Sequence, residues 1–563
     1  MNRSSLARRT AAVAVCVGAT AAVGVSPAFA KVAGINMYGS GSSLQKVAQT
    51  GSTQSAFAGL ASIWHANPST DQPTLNNDPT STYTSTNSGG GLAEFGNVTG
   101  ALDPTQDSTA NAAGVLDAFI GTDDPPTGGS GGNLNQANVA SGTDEETVPV
   151  FQAPVAIILS LPAGLTIGPK GLVKIRTAVL QEIYDPSGTP GVDNVPLTTQ
   201  PASGSTPTIT YPQGSWGALL LQTGLKYETT TATNVQFNDT GSPTTNGETQ
   251  CGGTGGFQCI NLEVRNGTSG TTYATHGFLY LAGDPNYPLS SVSDAESWPL
   301  TVDDGSGDSY GANSGSSTLV KNTLADPGSI GYVNLADAVL DEATGSAPVT
   351  NSFFIATSYP GSTWSSTSTF SEGTLNGGTG AATPAHQIVY AEVQDNDGAA
   401  AKSITYTYPG IANYSDAPLI TVTANLYTGT AIDQTGSYTL DQGSSAGVGD
   451  WDVQSTPWGE SFGGSIAGDP SIVQDGGGAH YGIVAATYDA GWEQYDTSLL
   501  NAAGAYNGNG LEEGATASSY LAYLAKSSGG QSALAGADVG YAKLPTPIDT
   551  EAEAQAALVD SVQ

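Results

Sequence analysis

Residues Val264–Tyr273 read VRNGTSGTTY, one arginine set four residues ahead of a Ser-Gly-Thr-Thr turn. An apolar, helix-compatible run follows, with Tyr273, Ala274, Phe278, Leu279 and Tyr280. Glycines let backbone N–H groups approach a ligand closely, hydroxyls donate further hydrogen bonds, and a helix N-terminus favours negative charge. Arginine adds a planar fork that matches a tetrahedral oxyanion. The stretch therefore reads as an anion cradle. The rest of the chain makes such an arginine conspicuous: Lys and Arg number 14 against 50 Asp and Glu, for a formal net charge of −36.

Three of those cations, Arg3, Arg8 and Arg9, stand at the basic end of an export signal spanning residues 1–30. An Ala/Val-rich stretch from Ala11 to Val25 is its apolar part, and Ala28-Phe29-Ala30 its cleavage site. Arg8-Arg9 has flanks that fit the twin-arginine route poorly. No later run is long and apolar enough to span a bilayer, so an extracytoplasmic, soluble mature protein is expected. Its acidity opposes nucleic-acid or anionic-membrane binding. It does not forbid an anionic ligand, because a buried site is governed by local dipoles. Two cysteines follow the signal, Cys251 and Cys259, and in an exported protein a pair this close in sequence is expected to form a local disulfide. Histidines at 65, 276, 386 and 480 are scattered, so no zinc site and no cofactor is implied.

Packed elements stand out from a background of 74 Gly and 31 Pro. Val148–Leu161 (VPVFQAPVAIILSL) reads as a buried, parallel-type strand. Leu172, Ile175, Val179 and Ile183 recur at helical spacing and predict a helix over about 171–184. SIGYV at 329–333 and YGIVAATY at 481–488 predict further strands. Strands alternating with helices give an α/β class. Residues 356–478 differ: alternating runs at 404–408 and 420–427 among Gly, Ser, Thr and Asp loops predict a β-rich insertion.

Three other stretches share the character of 264–273. Gly39–Gln45 (GSGSSLQ) leads into a weakly helical run, Tyr83–Leu92 (YTSTNSGGGL) puts Ser88 ahead of three glycines, and Phe119–Pro126 (FIGTDDPP) offers Asp123 in a tight turn. Each alone is as readily a linker or an ordinary turn. Taken in order with Arg265–Thr271, they resemble the motifs of the phosphate-binding proteins of ABC-type phosphate importers. The resemblance continues through Leu180–Tyr184 (LQEIY), Trp298-Pro299-Leu300, Pro327–Val333 (PGSIGYV) and Gly540–Pro545 (GYAKLP). It does not cover 356–478.

The resemblance implies an α/β, two-lobed, type II periplasmic-binding-protein fold closing on inorganic phosphate. Lobe one would hold 31–150 and 479–563, and lobe two 151–355. It implies a ligand set of the Ser43 hydroxyl, the Leu44 N–H, Ser88, Asp123, Arg265, Ser269, Gly270 and Thr271. It further implies a monomer that hands phosphate to a membrane permease and carries out no catalysis. The acid that this family often has two residues after the arginine is here Gly267, and its usual first threonine is Ser43. Asp123 is then the one carboxylate in the matched motifs assigned to accept the proton that phosphate carries and sulfate lacks.

Three other readings compete. Within the binding class, the ligand could be another tetrahedral oxyanion. Gly459–Gly463 (GESFG) matches a nucleophile-elbow pattern, but Pro457 before it and Gly464 and Pro470 after it do not suit a strand-turn-helix. A surface structural or adhesive protein fits the composition and the β-rich stretch, but not the ordered anion motifs.

Overall fold

A computed structural model describes residues 31–52, 57–95, 117–123, 145–160, 173–184, 198–200, 209–211, 214–222, 259–281, 298, 310–325, 328–340, 388–394, 406–407, 481, 483–492, 495, 510–537, 540–544, 549, 552–553, 556–557 and 559–560. The export signal, Cys251, the 459–463 motif and most of 356–478 lie outside them.

The strands in chain order are β1 (Met37–Gly41), β2 (Ser81–Ser85), β3 (Phe119–Thr122), β4 (Glu145–Ser160), β5 (Val173–Ile175), β6 (Thr198–Gln200), β7 (Ile209–Tyr211), β8 (Asn261–Arg265), β9 (Tyr310–Asn313), β10 (Ser329–Asn334), β11 (Ile388–Gln394), β12 (Tyr406–Thr407) and β13 (Val484–Trp492). Six helices matter below: α1 (Lys46–Thr50), α2 (Ser88–Phe95), α3 (Thr177–Ile183), α4 (Gly270–Leu281), α5 (Ser316–Ala325) and α6 (Gly510–Ala525).

One strand order occurs twice. In the first half the order is β2-β1-β3-β13-β4, with β1, β2 and β3 parallel and β13 antiparallel to both its neighbours. In the second half it is β9-β8-β10-β4-β11, with β8, β9 and β10 parallel and β4 antiparallel to both its neighbours. The two halves share β4, whose residues 145–154 pair with β13 and whose residues 155–160 pair with β10 and β11. This is a two-lobed α/β fold, as the motif order implies. The small β6-β7 sheet stands apart from the shared sheet.

β4 shows why periodicity finds this strand and misjudges its partners. Val148, Val150, Phe151 and Val155 through Leu159 are fully buried, so the continuous apolar run reports burial on both faces. The neighbours β13, β10 and β11 are nonetheless all antiparallel, not parallel. Several helices pack against β4, and a run of apolar residues cannot distinguish that cover from a parallel sheet's. The two prolines in this central strand also have positional reasons. Pro149 sits beside the irregularity between Thr487 and Tyr488 of β13, and Pro154 is the last residue paired with β13 before β4 changes partners.

The helix expected over 171–184 divides. Residues 173–175 form β5 and pair with β11, and α3 begins only at Thr177, after an extended Arg176. Two β-branched residues flanking Lys174 meet an open strand edge, and that pairing overrides local helical spacing. β11 falls within the stretch read as a β-rich insertion and completes the second half's sheet. The 404–408 run contains β12, paired with β11, and the 420–427 run is outside the described residues.

The first half's core is aromatic. Phe95 stacks on Trp492 with centroids 4.2 Å apart, and Tyr520 of α6 meets both Trp64 and Phe119. Gly41 ends β1 at φ 127°, and a Cβ there would lie 3.0 Å from the carbonyl carbon of Gly121 and closer still to its oxygen. Only glycine lets β1 and β3 approach at the point where the chain turns into the first hydroxyl loop.

Candidate functional site

Four loops meet where the parallel strands of the two halves end. From the first half come the turn after β1, the start of α2 and the end of β3. From the second comes the turn from β8 into α4.

Asp123 is the hub of the first half's contribution and is buried. Its Oδ2 accepts hydrogen bonds from the hydroxyls of Ser42 and Ser88, the latter at 3.0 Å, and its own N–H donates to Ser88 Oγ at 3.3 Å. Ser42 Oγ also accepts from the Leu44 N–H at 2.9 Å. The sequence reading assigns Ser43 and Leu44 here; the neighbour Ser42, equally a serine of GSGSS, is the one in contact with the carboxylate. Leu44 is fixed from its other side as well, since its carbonyl accepts from Asn334 Nδ2 at 2.9 Å and from the Tyr541 hydroxyl.

Arg265 is the second half's counterpart and is buried at 1% exposure. Its Nη1 donates to Ser43 Oγ and to Ser316 Oγ, each at 3.2 Å. The first bond crosses between the halves, and the second comes from the first residue of α5. Its backbone N–H donates to the Tyr332 hydroxyl at 3.2 Å, which in turn pairs with Thr272 Oγ1 at 2.8 Å. Burial lowers the guanidinium's pKa below its ordinary value, while Tyr332, Asp337 and Asp123 act the other way. A buried cation whose side-chain hydrogen bonds go to neutral hydroxyls lacks much of the solvation it had in water, and an anion would restore it.

The turn into α4 completes the cradle. Ser269, Thr271 and Arg265 are buried, and Ser269 Oγ, Thr271 Oγ1 and Arg265 Nε have no hydrogen-bond partner among the described residues. Three orphaned donors around one helix N-terminus suit an oxyanion that accepts hydrogen bonds from every side. Gly270 opens α4 and faces Asp123 directly: a Cβ there would lie 2.5 Å from Asp123 Cβ and 2.6 Å from its Cγ. Gly267, which replaces the acid expected two residues after the arginine, is exposed, has φ 82°, and would present a side chain to open space.

All eight sequence-assigned residues thus fall in this one region: Ser43, Leu44, Ser88 and Asp123 on one side, Arg265, Ser269, Gly270 and Thr271 on the other. Sequence reasoning missed Ser42, Ser316, Tyr332, Asn334 and Asn87. Only Asn87 carried a signal, as an asparagine just ahead of a helix start. Its Oδ1 caps α2 by accepting from the Gly90 N–H at 2.6 Å. Cys259 is buried, while Cys251 is outside the described residues.

Beneath α1 lies a polar layer. Gln45 Nε2 donates to the Tyr488 carbonyl at 2.7 Å, Gln49 Nε2 donates to Asp489 Oδ2 at 3.0 Å, and the Tyr520 hydroxyl donates to Gln49 Oε1. Burial pushes the Asp489 carboxyl up to about 8, with hydrogen bonds from Gln45 and Gln49 opposing and Asp123 adding to the rise.

No protein-family model matches the sequence, and no curated protein matches it. Solved structures do. The chain is similar to a high-affinity periplasmic phosphate-binding protein, PfluDING, bound with phosphate, at 14% identity over 92% of this chain and 93% of that one, with a TM-score of 0.46. It is similar to a human phosphate-binding apolipoprotein at 13% identity, with the same coverage and a TM-score of 0.47. It is also similar to a phosphate-binding protein from Stenotrophomonas maltophilia at 15% identity, again over 92% and 93%, with a TM-score of 0.43. Among the described residues no helix is long and apolar enough to cross a membrane.

Proposed function

We propose that this protein is an extracytoplasmic receptor that captures inorganic phosphate and delivers it to the permease of an ABC importer. One observation carries the reading. A buried arginine and the buried, orphaned donors Ser269 Oγ and Thr271 Oγ1 face a buried carboxylate across two halves of one fold. A tetrahedral anion that also bears a proton satisfies both sides at once: its oxygens accept from the donors and its O–H donates to Asp123. Sulfate offers no hydrogen to that carboxylate. On this reading Ser43 and the first turn of α2 supply the first half's donors, with the single O–H of Ser88 turning from Asp123 to the anion as it binds, and Arg265, Ser269, Gly270 and Thr271 supply the second's.

The proposed receptor acts as a monomer, needs no cofactor, does no chemistry and has no nucleic-acid role. The strongly acidic composition accords with the last point. A bridge between Cys251 and Cys259 would restrain the segment leading into β8.

Isothermal calorimetry with inorganic phosphate tests the reading. The native protein is expected to bind one phosphate. Arg265→Ala is expected to lose about 2–5 kcal/mol, the cost of truncating one partner of a buried charge pair. Phosphate-independent heats from the native protein, or unchanged binding by the variant, would refute the assignment.

A further inference from the structure

We propose that Thr268 and Asn87 form a latch between the two halves, and that this latch sets how fast the bound anion leaves. The inference rests on the phosphate-receptor reading and extends it to residues outside the ligand set. Thr268 lies between β8 and α4, and Asn87 stands immediately before α2. The Thr268 hydroxyl donates to Asn87 Oδ1 at 3.2 Å, a hydrogen bond that joins opposite halves. The same Oδ1 accepts from the Gly90 N–H at 2.6 Å, so the acceptor is already held in place by the helix it caps.

The fit around this bond is close. Gly89, the second residue of α2, lies under the Thr268 side chain: a Cβ at 89 would sit 2.9 Å from Thr268 Cβ and nearer still to Oγ1. The threonine therefore seats on the first turn of the helix that presents Ser88 to Asp123. Both latch residues are half-buried, unlike the buried donors at the cradle. The bond can form only when the halves have come together, because its two ends belong to different halves. It therefore contributes to the closed state and little to the encounter with ligand. Its loss falls on dissociation.

The experiment uses the full mature chain. Release of radiolabelled phosphate is followed after a chase with excess unlabelled phosphate, and association is measured by stopped flow. Thr268→Val keeps the shape over Gly89 and removes the donor. It is expected to speed release about two- to tenfold, the span for one neutral hydrogen bond, with association within about twofold of native. Thr268→Ser keeps the hydroxyl and is expected to release at close to the native rate. Native binding with an unchanged release rate in Thr268→Val overturns the latch alone. So does a Thr268→Ser variant that behaves like Thr268→Val. A native chain that does not bind phosphate overturns the receptor reading, and the latch with it.

Discussion

Replacing Gly270 with alanine separates folding from closure. Gly270 opens α4 at no unusual φ, and alanine favours a helix over glycine by up to about 1 kcal/mol. The atoms nearest the added methyl all lie across the interface, on Asp123. The methyl would lie 2.5 Å from Asp123 Cβ and 2.6 Å from Cγ, where carbon–carbon contact is comfortable only from about 3.5 Å. Asp123 cannot swing aside, because Ser42 and Ser88 hold its carboxylate and it is buried. The halves must therefore stay about 1 Å further apart. The Arg265–Ser43 bond, already at 3.2 Å, then lengthens beyond hydrogen-bonding range. A hydrogen bond to a charged group is worth about 1.5–3 kcal/mol, so phosphate affinity is expected to fall about 10- to 150-fold. Thermal melting of the unliganded variant should match or exceed that of the native protein. Calorimetry and scanning fluorimetry on the same preparation read both. Native affinity in Gly270→Ala would show that the two halves do not approach at this point when ligand binds, and would refute the reasoning.

The native protein is expected to prefer phosphate to sulfate, and Asp123→Asn to narrow that gap by offering sulfate a donor; competition binding of the two anions checks this, and an unchanged ratio counts against it. Cys251 and Cys259 are expected to be bridged in exported material, so alkylation without reductant should leave both unmodified by intact mass. Stability should fall as pH rises from about 4 to about 8. Asp489, pushed up to about 8 in the fold, binds a proton there that the unfolded chain has already released, so the folded state holds more protons through that window. Asp489→Asn should therefore raise the melting temperature more at pH 8 than at pH 5, and an equal shift at both would dismiss the buried acid as the source.

The sequence points to the proposed cradle because glycine, hydroxyl and arginine are local requirements of anion binding, and each leaves a short string. Arg265, Ser88 and Asp123 are legible for that reason. Ser42 is not distinguishable from Ser43 by composition; only the backbone turn after β1 decides which hydroxyl meets Asp123. Ser316, Tyr332 and Asn334 hold Arg265 and Leu44 from elements far away in the chain, and no local pattern announces them. The same limit explains β4. Its apolar run announces burial, but the direction of its partners depends on strands elsewhere in the chain. In 171–184, helical spacing is genuine from Thr177 onward, and β5 exists only because β11 lies beside it.

The place of β13 has a consequence for how the protein is made. This strand fills the gap between β3 and β4, yet it begins only at Val484. While the chain is synthesised, the first half's sheet remains in two pieces, β2-β1-β3 and the near end of β4. By then β4, β8, β9 and β10, all complete by Asn334, can already have assembled the second half. Arg265 is thus in position before Asp123 has the neighbour that carries Asp489. The nascent chain presents half a cradle, and only its last segment supplies the other half. A chain that stalls before residue 484 would leave the edges of β3 and β4 open to strands from other molecules, which makes late truncation a route to aggregation rather than to a smaller folded protein.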